Sequence, residues 1–463
     1  MTIKRWFSRN SYNAKAMLGG AFVALLVAAC GGGGGSSGGS SPVLIPTAAP
    51  TLQVLPASFD FGKVTSGNTP APLEVTIRNT GTAPLRVAAV NLAATSSAAF
   101  TLNFTTGTRP CGAPAPTVAA GDSCTFRVAF QPTSNGAFAG NVQIASNDAA
   151  TPLFGLPVTG KSEAISSIVV RVNQVDTSCP NNPATAYVSV VDQGNFPLSN
   201  LASGNFTLTE GTSTNNLLLG ATRVDAAYKP IAIAAVVDNS ASITAQPVTF
   251  ADMKSGFATL FNNLRGNDVG ELISFGTVFR VTVPFPNPSS TNNATNKTAL
   301  VAGLAVPWTG DANTLLYDSV YRAIDDTAVQ TAYRRAVIVA TDGVDEGVTS
   351  GVPLSTHSLA EVIANAVSKK VPVFTIGIGN SVNAAVLQSM AVQTGGMFYQ
   401  ANTSQNLAAI YQQLSSLLFQ NQYVLTFNQL SVGTAGTSSP LRVDVNTPNG
   451  IQGSGASTVT SCN

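Results

Sequence analysis

The stretch of sequence with the clearest chemical potential is "VVDNSAS", residues 236–242, where a carboxylate and two hydroxyls occupy alternate positions. It continues the apolar run "IAIAAVV", which is typical of a strand buried on both faces of a sheet. Asp238, Ser240 and Ser242 therefore offer oxygen ligands where a buried strand ends. Carboxylate and hydroxyl oxygens are the ligands that hard divalent cations prefer.

Two further oxygen-bearing residues occur in comparable positions. Asp342 lies in "ATDG", directly after the apolar run "RAVIVAT", and Thr314 lies in "NTLLYDSV", which we expect to be a loop that leads into a helix. With Asp238, Ser240 and Ser242 they make a set of two acids and three hydroxyls. Such a set suits Mg²⁺, with Mn²⁺ or Ca²⁺ as alternatives, and it leaves the cation open to a carboxylate from a partner.

Each of these fragments also has a purely local explanation. "DNSAS" is compatible with a helix-capping turn, Thr314 with the N-cap of the following helix, and Asp342 with a turn beside Gly343. The order of the three fragments along the chain, and their positions at the ends of predicted elements, favour the metal site.

Three other acids lie near these motifs. We expect Asp345 and Glu346 to form an acidic, solvated turn behind "TDG". Asp318 falls inside the predicted helix after Thr314, where a surface or capping role is the expectation.

The elements that must position the oxygen ligands form an α/β pattern over residues 229–419. Apolar strands are predicted at "IAIAAVV", "VGELISF", "RAVIVAT" and "VPVFTIGI", and they alternate with helical stretches such as "ADMKSGFATLFNNL" and "SLAEVIANAVSKK". This alternation predicts a doubly wound, Rossmann-like domain with a largely parallel sheet between two layers of helices. Ligands of such folds bind at the carboxyl ends of the strands.

This segment resembles the von Willebrand factor type A (VWA) domain over its whole length. "DNSAS" is similar to the family's Asp-x-Ser-x-Ser motif, "NTLLYD" to its threonine loop and "ATDG" to its second-aspartate turn. The resemblance implies a metal-ion-dependent adhesion site formed by Asp238, Ser240, Ser242, Thr314 and Asp342. Asn313 departs from the pattern, because many relatives have glycine before the threonine.

The N-terminus has the pattern of a lipoprotein signal peptide at 1–29. Basic residues precede "AMLGGAFVALLVAA", which is shorter than a bilayer span and ends in small residues. "LVAAC" resembles the lipobox of bacterial lipoproteins, which implies cleavage before Cys30 and acylation of its thiol. An ordinary signal peptide with a chance cysteine is the alternative. Residues 30–50 are rich in glycine, serine and proline, as in a flexible tether.

The cysteine count indicates two disulfides. The chain has five cysteines, and removal of the lipidated Cys30 leaves four in an oxidising compartment. Their spacing is not of the CxxC type, and the single histidine, His357, lies far from all of them in the sequence, so a zinc site is not expected.

Residues 51–163 show short alternating runs separated by turn residues, which predicts an immunoglobulin-like β-sandwich. "LPASFDFGKVTSG", "RNTGTAPLRV" and "GDSCTFRVAFQPTSNGAFAGNVQIASND" resemble the immunoglobulin-like domains of the ASPM, SPD-2 and hydin (ASH) type. Cys111 and Cys124 close a short loop in this domain. We expect it to serve as a spacer or docking module.

Residues 164–228 form a second β segment that is too short to close alone. The end of the chain, 420–463, has the same alternation in "QYVLTFNQL" and "PLRVDVNT", so we expect the two parts to form one sandwich interrupted by the α/β domain. Cys179 and Cys462 are the remaining pair, one in each part, and they would form the second disulfide. The alternative is a free thiol at Cys462 in a frayed tail.

Composition and motifs exclude several classes of function. Charged residues make up 10% of the chain and the net charge is +1, so a nucleic-acid partner is not expected. A Ser-His-Asp hydrolase would depend on His357, which lies in "PLSTHSLAE" at a predicted helix start, where we expect a solvated side chain. "TIGIGNS" lacks the third glycine of a dinucleotide fingerprint. We do not expect an enzyme.

Together these features predict a lipid-anchored protein of the bacterial envelope. The resemblance to bacterial lipoproteins implies the outer membrane, because Gly31 stands after Cys30 where inner-membrane retention in that family tends to use aspartate. The VWA-like domain of this protein would capture a protein or polymer ligand through an exposed carboxylate in a metal-dependent way. The alternative is a structural scaffold of an envelope assembly whose metal site is vestigial or stabilising.

Overall fold

The computed structural model describes residues 48–460, apart from segments at 66–68, 71, 178–182, 215–216, 227–228, 245–246, 287–292, 307–311, 342–344, 348–351, 380–381, 403 and 431–435. The predicted signal peptide at 1–29, the lipidation site Cys30 and most of the tether at 30–50 lie outside the described residues. The same is true of Cys179, Cys462 and Asp342.

The first domain is a sandwich of two sheets, as its alternating pattern predicted. Its strands are β1 (Leu52–Leu55), β2 (Phe59–Thr65), β3 (Leu73–Asn79), β4 (Leu85–Leu92), β5 (Phe100–Asn103), β6 (Thr117–Val118), β7 (Ser123–Phe130), β8 (Gly136–Ser146) and β9 (Leu153–Glu163). The sheet orders are β1-β3-β7-β5 and β2-β9-β8-β4-β6. All pairings are antiparallel except that of β2 with β9.

The core of this sandwich comes from the inward residues of each strand. In β3, Val75 and Ile77 are fully buried while their neighbours are partly exposed, and the rings of Phe100 and Phe130 stack with centroids 5.0 Å apart. Cys111 and Cys124 form a disulfide with Cα atoms 4.9 Å apart, which confirms the first predicted bridge. Closing a loop of this length stabilises the fold by about 3 kcal/mol in the chain-entropy account.

The second β segment begins with four strands, β10 (Ile168–Asp176), β11 (Ala184–Asp192), β12 (Phe206–Glu210) and β13 (Leu218–Arg223). Phe196, which follows β11, packs into the core of the first sandwich, and the hydroxyl of Thr65 donates a hydrogen bond to the buried carboxylate of Asp192. The first sandwich is therefore joined to the second β segment by the packing of the Phe196 ring and by a buried hydrogen bond.

The α/β segment contains a six-stranded sheet. Its strands are β14 (Ile231–Asp238), β15 (Val269–Phe275), β16 (Phe279–Val283), β17 (Arg334–Thr341), β18 (Val373–Ile378) and β19 (Phe398–Ala401). They lie in the order β16-β15-β14-β17-β18-β19, and only β16 is antiparallel to its neighbour. The four strands predicted from the sequence are confirmed as β14, β15, β17 and β18.

Helices cover both faces of this sheet. They are α1 (Ala241–Thr244), α2 (Pro247–Asn262), α3 (Asn293–Gly303), α4 (Leu316–Ala328), α5 (Leu359–Lys369), α6 (Ala384–Gln393) and α7 (Ser404–Ser416), the last followed by a π-helical turn at Leu417–Asn421. Residues of β14 alternate between the two layers: Ile233 and Ala235 pack with α2 and α7, whereas Ala234 and Val236 pack with α4, α5 and α6. None of the described helices is long and apolar enough to span a membrane.

Three strands complete the described chain, β20 (Tyr423–Phe427), β21 (Ser438–Asn446) and β22 (Gln452–Thr460). β20 pairs with β11 and β13, and β21 pairs with β12 and β22, in sheets of order β10-β11-β20-β13 and β12-β21-β22. Strands from both sides of the α/β segment therefore share two sheets. The sequence analysis did not predict β22.

The amino ends of the α/β strands meet these sheets through polar contacts. Arg334 and Arg335 begin β17. The guanidinium of Arg334 donates to the side-chain oxygen of Gln422 at 2.6 Å, and the backbone amide of Arg335 donates to the side-chain oxygen of Gln174 at 2.9 Å. Arg335 also lies 3.4 Å from the carboxylate of Asp176. The carboxyl edge of the parallel sheet is therefore the end remote from this junction.

Candidate metal centre

Asp238, the first of the predicted oxygen ligands, lies where the strand order of the sheet reverses. The central strand β14 has β15 on one side and β17 on the other, so the crevice between the carboxyl ends of β14 and β17 is a topological switch point. Asp238 is the last residue of β14 and Thr341 the last of β17. In open α/β sheets this crevice is the usual ligand site.

Asp238 is fully buried and its carboxylate is fixed at both oxygens. Oδ1 accepts a hydrogen bond from the backbone amide of Ser240 at 2.8 Å, and Oδ2 accepts one from the hydroxyl of Thr341 at 2.6 Å. The sequence analysis did not single out Thr341. The sequence feature that could have identified Thr341 is a hydroxyl residue at the end of the apolar run "AVIVA", directly before Asp342.

Ser240 and Ser242 lie on the turn that connects β14 with the short helix α1. Their Oγ atoms are 3.0 Å apart, with Ser240 buried and Ser242 exposed. The alternation seen in the sequence thus brings two hydroxyls together beside the Asp238 turn. The bond from the Ser240 amide to Asp238 also gives this segment the character of an Asx turn, so the capping explanation and the site explanation describe the same loop.

Thr314 is buried at the start of the loop into α4. Its backbone pairs with Glu346 through two hydrogen bonds of 3.0 and 3.1 Å, which form an isolated bridge. The next amide, of Leu315, donates to the carbonyl of Gly276 at 2.8 Å. The N-cap position of α4 is Leu315, so the N-cap explanation for Thr314 was wrong.

The expectation of a solvated acidic turn was wrong for Asp345, which is buried. Its carboxylate accepts hydrogen bonds from the amides of Tyr317 at 2.9 Å, Leu354 at 2.6 Å and Ser355 at 2.8 Å, and from the Ser355 hydroxyl. Asp345 thereby ties the loop after β17 to the first turn of α4. Because Glu346 pairs with Thr314, this tie helps to hold the threonine loop in place.

Asp318, in the first turn of α4, has a capping role, as the sequence analysis expected: its carboxylate binds amides of the loop that follows β17. It accepts hydrogen bonds from the amides of Thr356 and His357, and its Oδ1 lies 2.7 Å from Nδ1 of His357. Burial raises the pKa of Asp318, but these hydrogen bonds outweigh it and hold the pKa below its ordinary value. The ring of His357 stacks on Tyr321 with centroids 3.8 Å apart, and 36% of the side chain is exposed. The expected solvent exposure is therefore present in part, but the ring is also packed and hydrogen-bonded.

The donor set fits a hard divalent cation. The described donors are oxygens: one buried carboxylate from Asp238 and hydroxyls from Ser240, Ser242 and Thr314, on loops that follow β14 and precede α4. The second predicted acid, Asp342, lies outside the described residues but is next in sequence to Thr341. Within the described part of the chain, no group of three or more His, Cys, Asp or Glu side chains could hold a metal ion. The chemistry is therefore that of a hydroxyl-rich site with little charge.

Two family models match the chain, in the order expected from the sequence. Residues 50–152 match the ASH family, described as "Abnormal spindle-like microcephaly-assoc'd, ASPM-SPD-2-Hydin", and residues 232–413 match the von Willebrand factor type A domain. No curated protein matches the chain. The chain thus contains an ASH domain followed by a VWA domain.

Solved structures similar to this chain include three of different origin. A von Willebrand factor type A protein from Catenulispora acidiphila is 10% identical over 64% of this chain and 72% of its own, with a TM-score of 0.37. Proximal thread matrix protein 1 of the mussel byssus, with a zinc-occupied MIDAS motif, is 17% identical over 45% and 49%, with a TM-score of 0.36. The pilus adhesin SpaC from Lactobacillus rhamnosus GG is 10% identical over 63% and 48%, with a TM-score of 0.33. The chain spans about half the length of the last two.

Proposed function

We propose that this protein is a binding protein of the bacterial envelope that captures an exposed carboxylate of a protein or polymer through a divalent cation. Asp238, Ser240, Ser242, Thr314 and Asp342 would hold the cation, with Mg²⁺ as the first candidate. The observation that carries the proposal is the buried, fixed carboxylate of Asp238 beside paired serine hydroxyls at the switch point of a VWA domain.

The protein groups divide the work of such a site. Asp238 supplies charge in a buried position, and the Ser240 amide and Thr341 hydroxyl fix the orientation of its carboxylate. Ser240, Ser242 and Thr314 supply neutral oxygens that do not cancel the charge of the ion. A divalent cation with so few acidic ligands retains a strong attraction for one more carboxylate.

We propose binding rather than catalysis as the activity. The single histidine, His357, is held by Asp318 and stacked on Tyr321, which is a structural use of the imidazole. The Asp318 carboxylate is likewise occupied by loop amides, and Asp345 accepts four hydrogen bonds. These acids stabilise loops beside the candidate site.

We further propose that residues 164–228 and 420–463 form one sandwich into which the VWA domain at 229–419 is inserted. The pairing of β11 with β20 and of β12 with β21 supports this division. Both connections to the insert then leave from the amino end of its sheet. The candidate metal centre lies at the opposite end and faces away from the sandwich. Acylation at Cys30, with residues 30–50 as tether, would hold this assembly at the outer membrane.

Calorimetric titration with Mg²⁺ and Mn²⁺ tests the metal site. We expect the wild type to bind one divalent ion and Asp238→Ala to bind it at least tenfold more weakly, because one of two charges is lost. Asp444→Ala is the matched control: it removes an acid from the second sandwich that pairs with Arg442 on the same strand, and it should leave metal binding unchanged. A wild type that binds no divalent ion at millimolar concentration would favour the scaffold alternative.

Fractionation of cells tests the anchor. We expect mass spectrometry to find acyl chains on the N-terminus of the wild type and none on Cys30→Ser. The variant should also be released from the membrane fraction, because hydrocarbon burial provides about 0.8 kcal/mol per methylene. A wild type without acyl chains would contradict the lipoprotein proposal, whatever fraction the protein occupies.

A further inference from the structure

A cleft of about 160 Å³ lies between the VWA domain and the flanking sheets, and all of its lining residues are described. The last turns of α5 and α6 form one wall, and the strands β10 and β22 form the other. The cleft lies at the amino end of the parallel sheet, since the chain leaves α5 at Lys369 and enters β18 at Val373. Junctions between domains are common positions for ligand sites. The cleft is therefore a candidate site separate from the metal centre.

Lys370 is the charged residue that lines this cleft. It ends α5 in the left-handed conformation, with a φ of 54°, which is uncommon for a residue other than glycine and is found most often at functional positions. Among the described residues its half-buried ammonium makes one hydrogen bond, a long one of 3.4 Å to the hydroxyl of Thr460. An ammonium group has three donors, so two are left for a ligand.

The surroundings of Lys370 favour an anion. Burial lowers the pKa of its ammonium, the charge of Asp176 opposes this effect, and the charge of Arg335 adds to it. The carboxylate of Asp176 is already engaged: Nε2 of Gln174 donates to its two oxygens at 2.7 and 2.8 Å, and Arg335 lies 3.4 Å away. Three cations act on this one carboxylate, those of Lys229, Arg335 and Lys370. Positive charge is therefore in excess beside the cleft.

Apolar side chains form much of the remaining lining. Val367 of α5 and Val392 of α6 are 53% and 38% exposed, although large apolar side chains are usually buried. Val172 and Val175 of β10 line the cleft from the opposite wall. An apolar pocket with one charged group of perturbed pKa is the usual composition of a site for a small molecule.

We propose that this cleft binds a small organic acid, a monocarboxylate with a short apolar tail, through Lys370 and the exposed valines Val367 and Val392. The carboxylate accepts charge-assisted hydrogen bonds from the ammonium and replaces the water that burial removes. The tail covers the two valines, which a sugar or inorganic phosphate would leave in contact with polar groups. The volume of the cleft limits the tail to a few carbon atoms. The proposal is independent of the metal centre and of the function proposed for it.

Titration calorimetry on the full-length protein in neutral detergent tests the proposal. Chelator is present, so that metal-dependent binding of a carboxylate beside Asp238 does not contribute. The probes are 4-methylpentanoate, its amide, which has the same tail without the charge, and acetate, which has the charge without the tail. We expect 4-methylpentanoate to bind at least tenfold more tightly than either, a difference of about 1.4 kcal/mol.

Two variants separate the contributions of charge and tail. Lys370→Gln should lose the preference for the acid over its amide. Lys369→Gln is the matched control, because it removes the same charge from the next residue, whose ammonium pairs with Asp325 of α4, and it should keep the preference. Val367→Ser/Val392→Ser retains Lys370 and should bind 4-methylpentanoate no more tightly than acetate.

Three results would overturn the proposal: no binding of 4-methylpentanoate at millimolar concentration, equal binding of the acid and its amide, or an undiminished preference in Lys370→Gln. If Lys370→Gln does not fold, the valine variant decides, since its changes are at exposed positions. A preference over acetate that persists in that variant contradicts the assignment of the tail to this cleft. None of these results affects the binding of Mg²⁺ by the wild type, which is measured separately.

Discussion

The hydrogen bond between Thr341 and Asp238 is the contact on which the candidate site depends most closely. It joins the last residues of two neighbouring strands, both buried, at 2.6 Å. A hydroxyl that donates to a carboxylate in a buried position contributes about 1.5–3 kcal/mol. With the Ser240 amide on the other oxygen, it determines how the Asp238 carboxylate is turned. Thr341 is therefore a positioning residue for the site.

We predict that Thr341→Val lowers the affinity for Mg²⁺ by about tenfold, which corresponds to about 1.4 kcal/mol. Valine has nearly the shape of threonine but cannot donate, so Asp238 loses its fixed orientation. Thr341→Ser retains the hydroxyl and should restore most of the affinity. Titration calorimetry measures both variants, and a Thr341→Val protein with wild-type affinity would contradict the assignment.

Single residues were predictable from the sequence where their spacing carried the information. The alternation of Asp238, Ser240 and Ser242 at a strand end was sufficient to indicate a shared site. Asp345 was not predictable, because its donors come from Tyr317, Leu354 and Ser355 and are brought together only by folding. An acid beside a glycine-rich turn has the same sequence pattern whether it is solvated or buried.

Among the elements, the strands of the VWA sheet were predictable because they are continuous apolar runs, fully buried in β14, β15 and β18. The strand β22, "QGSGASTVT", has no such pattern. Its glycines are explained by a close approach to β10: a Cβ atom on Gly455 would lie 2.8 Å from the carbonyl oxygen of Val170. In such a strand, glycines stand where other strands have apolar side chains. A sequence of this kind resembles that of a loop, so the strand is not recognised.

Glu271 is an acid inside the buried strand β15. Its Oε2 atom has no hydrogen-bond partner among the described residues. Burial raises the pKa of Glu271 to about 8, and the negative charge of Asp326 adds to the rise against smaller opposing effects of the Phe285 amide and Arg322. The ordinary pKa is 4.5, so between these values the folded chain holds a proton that the unfolded chain releases.

We predict that this group makes the fold less stable as the pH rises. A raised pKa in the folded state contributes stability that is fully present below pH 4.5 and is lost up to about pH 8. The loss is roughly 1.4 kcal/mol per pH unit from this group. Glu271→Gln carries no proton to release and should show a flatter pH dependence and a higher unfolding free energy at pH 7.

Urea denaturation at pH 5, 6 and 7 in chelator measures the effect. The difference between wild type and Glu271→Gln isolates this carboxyl from all other titrating groups. Equal dependence of the two unfolding free energies on pH would contradict the assignment of a raised pKa to Glu271.

For the whole molecule, the order of the domains was predictable, but their junctions were not. A polar contact joins the VWA domain to the flanking sheets: the side-chain amide of Asn173 donates to the Gly395 carbonyl at 2.7 Å. Gln422 supports Asn173 from within the flanking sheets by donating to its side-chain oxygen at 2.8 Å. Asparagine and glutamine in short strands give no sequence signal of a partner more than 200 residues away. The described contacts with the flanking sheets lie at the amino end of the parallel sheet, and Asp238 lies at its carboxyl end.

The second disulfide, Cys179 to Cys462, is a prediction at this scale. Neither cysteine lies among the described residues, but described residues just before each of them lie near the same lysine side chain. Lys370, at the end of α5, donates from Nζ to the hydroxyl of Thr460 at 3.4 Å, and the charge of Asp176 lies close enough to act on the same ammonium group. Cys179 follows Asp176 by three residues and Cys462 follows Thr460 by two, and each residue can span about 3.5 Å.

We therefore expect a bridge that closes the sandwich around the VWA domain. Closing so long a loop would stabilise the sandwich by about 5 kcal/mol in the chain-entropy account, so Cys179→Ser/Cys462→Ser should unfold at markedly lower urea concentration. Peptide mapping without reductant should recover Cys179 linked to Cys462 and Cys111 linked to Cys124. Cys111→Ser/Cys124→Ser is the matched control: it loosens only the first sandwich and should leave the Cys179–Cys462 peptide in the map. A free thiol at Cys462 in the wild type would contradict the bridge, and the strand pairs β11–β20 and β12–β21 would then have to hold the two halves of the sandwich together without a covalent link.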